Sequence, residues 1–208
     1  MRKTWIFDCD NTLYSGETGF FNRVDDRIRA YMAVRLGIPE EKIEPLRIGY
    51  REAFGVTLVG LMRDYAITPE DYLTYVHDVE LDDLINRDEG LSVALKSLEG
   101  EIHIMTNGTR SHAGRVLERL GIADRISTVF DIGFMDYIPK PNPHGYLKML
   151  ASLGVAASSC IMVDDMEVNL DTARTLGMET VLVGRASSGG HKLAQGVGDI
   201  PGLLLSLR

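Results

Sequence analysis

Five short runs of apolar and β-branched residues punctuate the chain: Thr4 to Phe7, Ile102 to Met105, Thr128 to Ile132, Cys160 to Val163 and Thr180 to Val183. Runs of this length and composition read as strands. The segments between the last four carry apolar residues at helical spacing, as in Ala113, Val116, Leu117 and Leu120, which Gly121 closes as a helix stop. Strands that alternate with helices in this way predict an α/β fold built on a doubly wound, parallel, five-stranded Rossmann-like sheet.

The first connection breaks the pattern. From Ser15 to about Asn86 only helical spacings occur, such as Phe21, Val24, Ile28, Met32 and Leu36 on one face ahead of Gly37. Thr68-Pro69-Glu70-Asp71 reads as a helix start, with a capping residue, a proline at the first helical position and an acidic first turn. A crossover of that length exceeds what a βαβ unit needs. It predicts a helical lobe over 15–86, inserted after the first strand into a core of 1–14 and 87–208. The Gly- and Ser-rich stretch from Gly184 to Gly202 reads as a surface loop with a short tail. Gly196-Val197-Gly198 neither follows the first strand nor opens a clear helix, so it is no dinucleotide fingerprint.

Composition limits the partners. A chain of 208 residues that is 45% hydrophobic and 25% charged is typical of a soluble globular protein. No run reaches the ~18 apolar residues of a membrane span. The apolar stretch behind Met1-Arg2-Lys3 is too short for a signal peptide and stops on Asp8, so a cytoplasmic protein is expected. Cys9 and Cys160 each lie in an apolar run, as buried thiols in a reducing compartment do. A net charge of −8 argues against a nucleic-acid partner, which needs clustered Lys and Arg, but leaves room for a small phosphate ester.

Four stretches put polar groups directly after apolar runs: Asp8-Cys9-Asp10-Asn11-Thr12, Thr106-Asn107-Gly108-Thr109, Lys140-Pro141 and Asp164-Asp165. In a parallel sheet these ends share one edge, where ligands bind. Taken singly, each has an ordinary structural reading as an Asx-turn, a helix cap or a solvated turn. Asp164, Asp165 and Glu167 would equally complement a helix dipole. Together, four carboxylates on one edge repel each other unless a cation intervenes, and a hard, oxygen-seeking ion such as Mg²⁺ fits. The loop from Asp8 is no EF-hand, since Leu13 and Gly19 stand where a glycine and a bidentate glutamate are needed. The five histidines, His77, His103, His112, His144 and His191, show no zinc spacing and are expected in surface or packing roles. Donors at Thr106 and Asn107 and an ammonium at Lys140 suit a phosphate.

These stretches, in this order, resemble the four motifs of the haloacid dehalogenase superfamily of phosphatases. Further segments resemble its pyrimidine 5′-nucleotidase branch: Asp10 to Tyr14, Tyr50 to Gly55, Leu58 to Leu61, Asp71-Tyr72 with Val76-His77-Asp78, and Leu120 to Asp124. Two positions depart from the pattern. Gly108 stands where alanine is expected, and Asn142 where aspartate or histidine is commoner.

The resemblance implies a Mg²⁺-dependent phosphomonoester hydrolase, most closely a pyrimidine nucleoside 5′-monophosphate phosphatase. It makes Asp8 the nucleophile that forms an aspartyl-phosphate, and Asp10 the acid and then the base. It has Mg²⁺ held by Asp8, the Asp10 main-chain carbonyl and Asp165, with Asp164 beside it. Thr106, the Asn107 amide and Lys140 would bind the phosphoryl oxygens, and residues 15–86 would act as a cap that selects the leaving group. Phe20, Phe21, Tyr50 and Phe54 either stack on a base or pack the cap helices. The alternatives are a phosphoglycolate or sugar-phosphate phosphatase, a dehalogenase, which needs neither Asp10 nor metal, and a phosphate-binding or signalling module without turnover.

Overall fold

Trp5, Ile6 and Phe7 point alternately to the two faces of a strand, and all three are buried, so both faces must be covered. In the computed structural model, which describes residues 3–81, 83–184 and 189–205, this strand is β1 (Lys3–Phe7) at the sheet centre. It pairs in parallel with β2 (Gly100–Met105) on one side and β4 (Cys160–Asp164) on the other, with Trp5 opposite Ile102 and Ile161. With β3 (Thr128–Phe130), β5 (Glu179–Val183) and β6 (Lys192–Ala194), the described residues form one sheet in the order β3-β2-β1-β4-β5-β6. The chain reverses direction across the sheet between β1 and β4, the place where such folds bind ligands.

The sheet thus has six strands where five were expected. β6 lies inside the stretch read as a loop, and its three residues carry no strand pattern of their own. Pairing with the β5 edge defines it, with Val181 opposite Lys192, and Lys192 Nζ donates to Glu179 at 2.8 Å. Residues 185–188 of that stretch, and Met1 and Arg2, lie outside the described residues. β3 also ends at Phe130, short of Ile132, because the Asp131 carboxylate accepts from the Arg110 and Phe134 N–H groups and turns the chain out of the ladder.

Between β1 and β2 run α1 (Phe20–Ala30), α2 (Glu40–Phe54), α3 (Thr57–Tyr65), α4 (Pro69–Val76) and α5 (Glu89–Ser97). α1 continues as a π-helical turn over Tyr31–Arg35, and Gly37 follows in the left-handed region at φ 64°. Pro69 opens α4 as the sequence indicates, but Thr68 makes no side-chain capping bond. Then come α6 (Arg110–Leu120), α7 (Pro143–Leu153), α8 (Glu167–Thr175) and α9 (Ile200–Leu205). Asn142, one of the two departures, caps α7 by accepting from the His144 N–H at 3.0 Å. No helix among the described residues is long and apolar enough to cross a membrane.

The two sheet faces carry two apolar clusters. Trp5, Phe7, Ile102, Ile104 and Val163 pack with Leu95 and Leu117 on one. On the other, Ile6, Met105 and Met162 belong to a cluster that extends to Tyr31, Met32, Leu61 and Tyr72 of the inserted helices. Within the insertion, α2 and α3 approach so closely that a Cβ on Gly60 would lie 2.1 Å from the Tyr50 ring, which its hydroxyl fixes by donating to Asp64 at 2.8 Å. Helix propensity alone favours Gly60→Ala by about 1 kcal/mol. Overpacking predicts the opposite sign, a loss on the order of 1–3 kcal/mol in urea unfolding. A stabilised Gly60→Ala variant would contradict this packing.

Candidate active site

Parallel pairing of Phe7 with Val163 carries the chain one step further, since the Asp8 N–H bonds to the Val163 carbonyl at 2.8 Å. Asp8 and Asp164 therefore leave adjacent strand ends together. Lys140 joins them: its Nζ donates to Asp8 Oδ1 at 2.8 Å and to Asp164 Oδ2 at 2.7 Å, and the lysine is only 2% exposed. Burial opposes the Lys140 charge, but Asp164 and Asp8 outweigh it and push its pKa above the usual lysine range.

The Lys140 backbone is clamped. Its N–H donates to Asn107 Oδ1 at 2.8 Å, and Asn107 Nδ2 donates to the Lys140 carbonyl at 3.1 Å. The Asn107 side chain thus positions the lysine loop, so any phosphate contact from this residue falls to its main chain. On the other side, Gly55 takes φ 83° at the end of α2, and a Cβ there would lie 2.9 Å from the Lys140 carbonyl oxygen. Only glycine combines that φ with that approach. The inserted helices therefore touch the lysine loop directly.

Asp164 is fully engaged. Beyond Lys140 it accepts from the Met166 N–H at 2.9 Å and from Asn169 Nδ2 at 2.9 and 3.0 Å. The turn role open to it on sequence grounds is real, and coexists with the ion pair. Asp165, half-buried, accepts from Thr12 Oγ1 at 3.3 Å. Carboxylate oxygens of Asp8, Asp164 and Asp165 lie within 4.8 Å of one another, with no nitrogen or sulfur ligand in the group. Three carboxylates against one ammonium leave the cluster at −3 + 1 = −2 when all are ionised. The excess shows in the proton affinities. Burial, with Asp164 adding to it, pushes Asp165 up to about 6. Burial raises Asp8 as well, Lys140 opposing and Asp164 and Asp165 adding to the rise. An all-oxygen donor set that lacks two positive charges fits a hard divalent cation.

Asp10 faces elsewhere. Its Oδ1 accepts from the Tyr14 hydroxyl at 2.6 Å and His112 Nε2 at 2.9 Å, and its Oδ2 lies 3.1 Å from the same nitrogen. The nitrogen must carry the proton, because an ionised carboxylate only accepts. Burial opposes the Asp10 charge, but the His112 imidazole and the hydrogen bonds from His112 and Tyr14 outweigh it, holding the carboxyl below the usual range. The Asp10 side chain is thus outside the carboxylate group, and only its main chain is left to face a cation.

His112 is buried and packed, as one of the two expected roles has it, and it also bonds to Asp10. It is buried in the first turn of α6, capped by Thr109, which follows the Thr106-Asn107 stretch. His77 stacks on it with ring centroids 4.3 Å apart, and Phe20 lies on it at 5.7 Å. Tyr14 closes a segment that carries the family resemblance, but His112 has no motif spacing. The available clue was that α6 must start beside the edge that carries Asp10. Gly108 fits the same crowding, since a methyl there would sit 3.2 Å from His112 Cδ2. Thr106 is buried, its Oγ1 accepting from the Gly108 N–H at 2.9 Å, which leaves its hydroxyl proton to donate. Tyr50 and Phe54 pack against each other at 6.5 Å within α2, while Phe20 belongs to the Asp10 surroundings. A cavity of about 460 Å³ opens between α1, α4 and α6, its walls including Arg27, Tyr75, His77, Thr109 and His112.

A yeast protein (Saccharomyces cerevisiae), phosphate metabolism protein 8, is 26% identical over 196 residues, 87% of this chain and 61% of the relative, so the chain spans under two thirds of that protein. Phosphatase MT3486 of Mycobacterium tuberculosis is 25% identical over 198 residues, 87% of each. The crystal structure of a HAD phosphatase from Thermococcus onnurineus shares the fold at a TM-score of 0.64, with 17% identity over 98% of both chains. The family model for haloacid dehalogenase-like hydrolases matches residues 3–177, the span from β1 past α8 that holds every residue of the site, and the chain belongs to that family.

Proposed function

We propose that this chain is a phosphomonoester hydrolase that works through an aspartyl-phosphate. The observation that carries the reading is the division of the two aspartates after β1. Asp8 lies in a cation-seeking group with Lys140, while Asp10 is held apart by Tyr14 and His112. Hydrolysis at phosphorus needs both a nucleophile and a proton-transfer group, whereas a dehalogenase has no use for the second. Two relatives whose names refer to phosphate metabolism and phosphatase activity support the same choice.

Asp8 and Asp165 carboxylates and the Asp10 carbonyl would hold Mg²⁺, with Asp164 anchoring Lys140 behind them. When bound, the ion offsets the −2 charge of the cluster and that of an anionic ester. An Asp8 oxygen attacks phosphorus in line and the phosphorus–ester oxygen bond breaks. Lys140, the Thr106 hydroxyl and the Asn107 main-chain N–H bind the phosphoryl oxygens. Asp10 protonates the departing oxygen, then takes a proton from the water that cleaves the aspartyl-phosphate and frees Asp8. Asp10 is ionised in the substrate-free chain, so its proton must be gained with the ester, whose negative charge raises its proton affinity.

Residues 15–86 act in this reading as a cap over a core of 1–14 and 87–208 that selects the leaving group; the cavity beside His77 and His112 is not lined by Asp8, Asp10 or Lys140 and is given no part in the reaction. A pyrimidine nucleoside 5′-monophosphate is the proposed substrate, in a cytoplasmic setting that suits the two free, buried thiols Cys9 and Cys160. A phosphoglycolate or sugar-phosphate substrate is the alternative.

Two measurements test this reading. Hydrolysis of p-nitrophenyl phosphate should vanish on chelation and return with Mg²⁺, and full activity after exhaustive chelation would exclude the metal role. UMP and CMP should exceed AMP, GMP and phosphoglycolate in kcat/KM, because the strand edge grips only the phosphoryl group and selection falls to residues 15–86. Equal values, or a preference for phosphoglycolate, would remove the pyrimidine assignment and leave the phosphatase chemistry intact.

A further inference from the structure

His112 is the most constrained side chain near Asp10, and the reaction above gives it no part. Its main-chain N–H is tied to Thr109 Oγ1 at 3.1 Å, and its side chain is 1% exposed. Its Nε2 meets both Asp10 oxygens, at 2.9 and 3.1 Å. Its ring lies near-parallel to Phe20, at 10°, and is stacked on His77 at 25°. Phe20 and His77 both come from the segment between β1 and β2, whereas His112 comes from α6 on the other side of the site.

Asp10 needs such support. It follows the end of β1, next to Asn11, which adopts a left-handed φ of 60°. A carboxylate on a turn can rotate about two side-chain bonds. One hydrogen bond from Tyr14, four residues away on the same turn, cannot fix its plane. A second donor from a separate helix does, since two contacts from different directions leave one orientation. The Thr109 hydroxyl, which accepts from the His112 main-chain N–H, also lies 3.4 Å from His77 Nδ1, so one side chain ties the His112 backbone to the His77 ring.

We infer that His112 is a positioning residue that aims the Asp10 carboxyl at the leaving-group oxygen, and that His77 and Phe20 hold the imidazole in that pose. The inference rests on the assignment of Asp10 to proton transfer. A merely structural His112 would stabilise the fold without regard to the substrate. A positioning role has a distinct signature: its loss matters in proportion to the need of the departing oxygen for a proton.

The test is a series of aryl phosphates of rising leaving-group basicity, together with an alkyl phosphate, under saturating Mg²⁺. Full-length wild type, Asp10→Asn, His112→Ala, His112→Gln, His77→Ala and His77→Phe are compared. Asp10→Asn should lose progressively more kcat as the leaving group becomes more basic. His112→Ala should follow the same trend, losing about 10²-fold on the alkyl ester, the cost of a misplaced catalytic group, and only a few-fold on p-nitrophenyl phosphate, with KM little changed. His112→Gln, which returns an N–H donor, should recover most of the loss. His77→Ala should show the trend in weaker form, and His77→Phe, which keeps a ring on His112 but loses the Thr109 contact, should fall between His77→Ala and wild type. A uniform loss across the series in the His112 variants, with the trend intact in Asp10→Asn, overturns the inference and spares the acid assignment. No trend in Asp10→Asn overturns both. Should His112→Ala fail to fold, His112→Gln and the His77 pair decide between the same outcomes.

Discussion

The Lys140 ammonium, bonded at once to Asp8 and Asp164, is the contact on which the site depends. It joins the end of β1 to the end of β4 across the reversal in the sheet, from a loop that follows β3. Through its backbone it is tied to Asn107 after β2, and Gly55 brings the inserted helices against the same peptide. A buried ion network of this kind is a poor source of stability, because desolvation consumes most of the Coulombic gain. Breaking it is another matter, since a lone buried carboxylate costs several kcal/mol, on the order of 3–5. The network therefore specifies how the strand ends meet more than how firmly the chain folds, and it holds two carboxylates closer than their mutual repulsion would allow.

The same electrostatics separates Asp8 from Asp10, two residues apart in the chain. Burial and neighbouring carboxylates favour the protonated form of Asp8, whereas His112 and Tyr14 favour the ionised form of Asp10. Environments that push two carboxyls apart are how one site comes to have two roles. Here the directions belong to the substrate-free chain. A cation beside Asp8 would favour its ionised form, and a phosphate dianion beside Asp10 its protonated form, the states that the proposed reaction needs.

Asp8, Lys140 and Asp164 were legible in the sequence because a parallel sheet collects strand ends on one edge, and a polar group directly after an apolar run needs no further information to be placed there. The run of helices between β1 and β2 was legible for a related reason, the lack of any period-two pattern over residues 15–86. β6 was not, since three residues in a glycine-rich stretch carry no periodicity and exist as a strand only through the β5 edge. His112 was not either. Its partner lies 102 positions away, and the contact follows from the rotation of α6 about its axis, which packing sets. Asn107 was half legible: its position at the edge followed from the pattern, but the turn of its side chain toward the Lys140 backbone required the loop itself.

In the proposed reaction a carboxylate oxygen of Asp8 receives the phosphoryl group. The direct measurement is acid quench of the enzyme during turnover of a phosphate-labelled ester, followed by peptide mapping of the bound label. The label should be found on Asp8, in a form that alkali or hydroxylamine releases as an acyl-phosphate does, and Asp8→Asn should show neither label nor turnover. Sustained turnover by Asp8→Asn, or a label on any other residue, would contradict it.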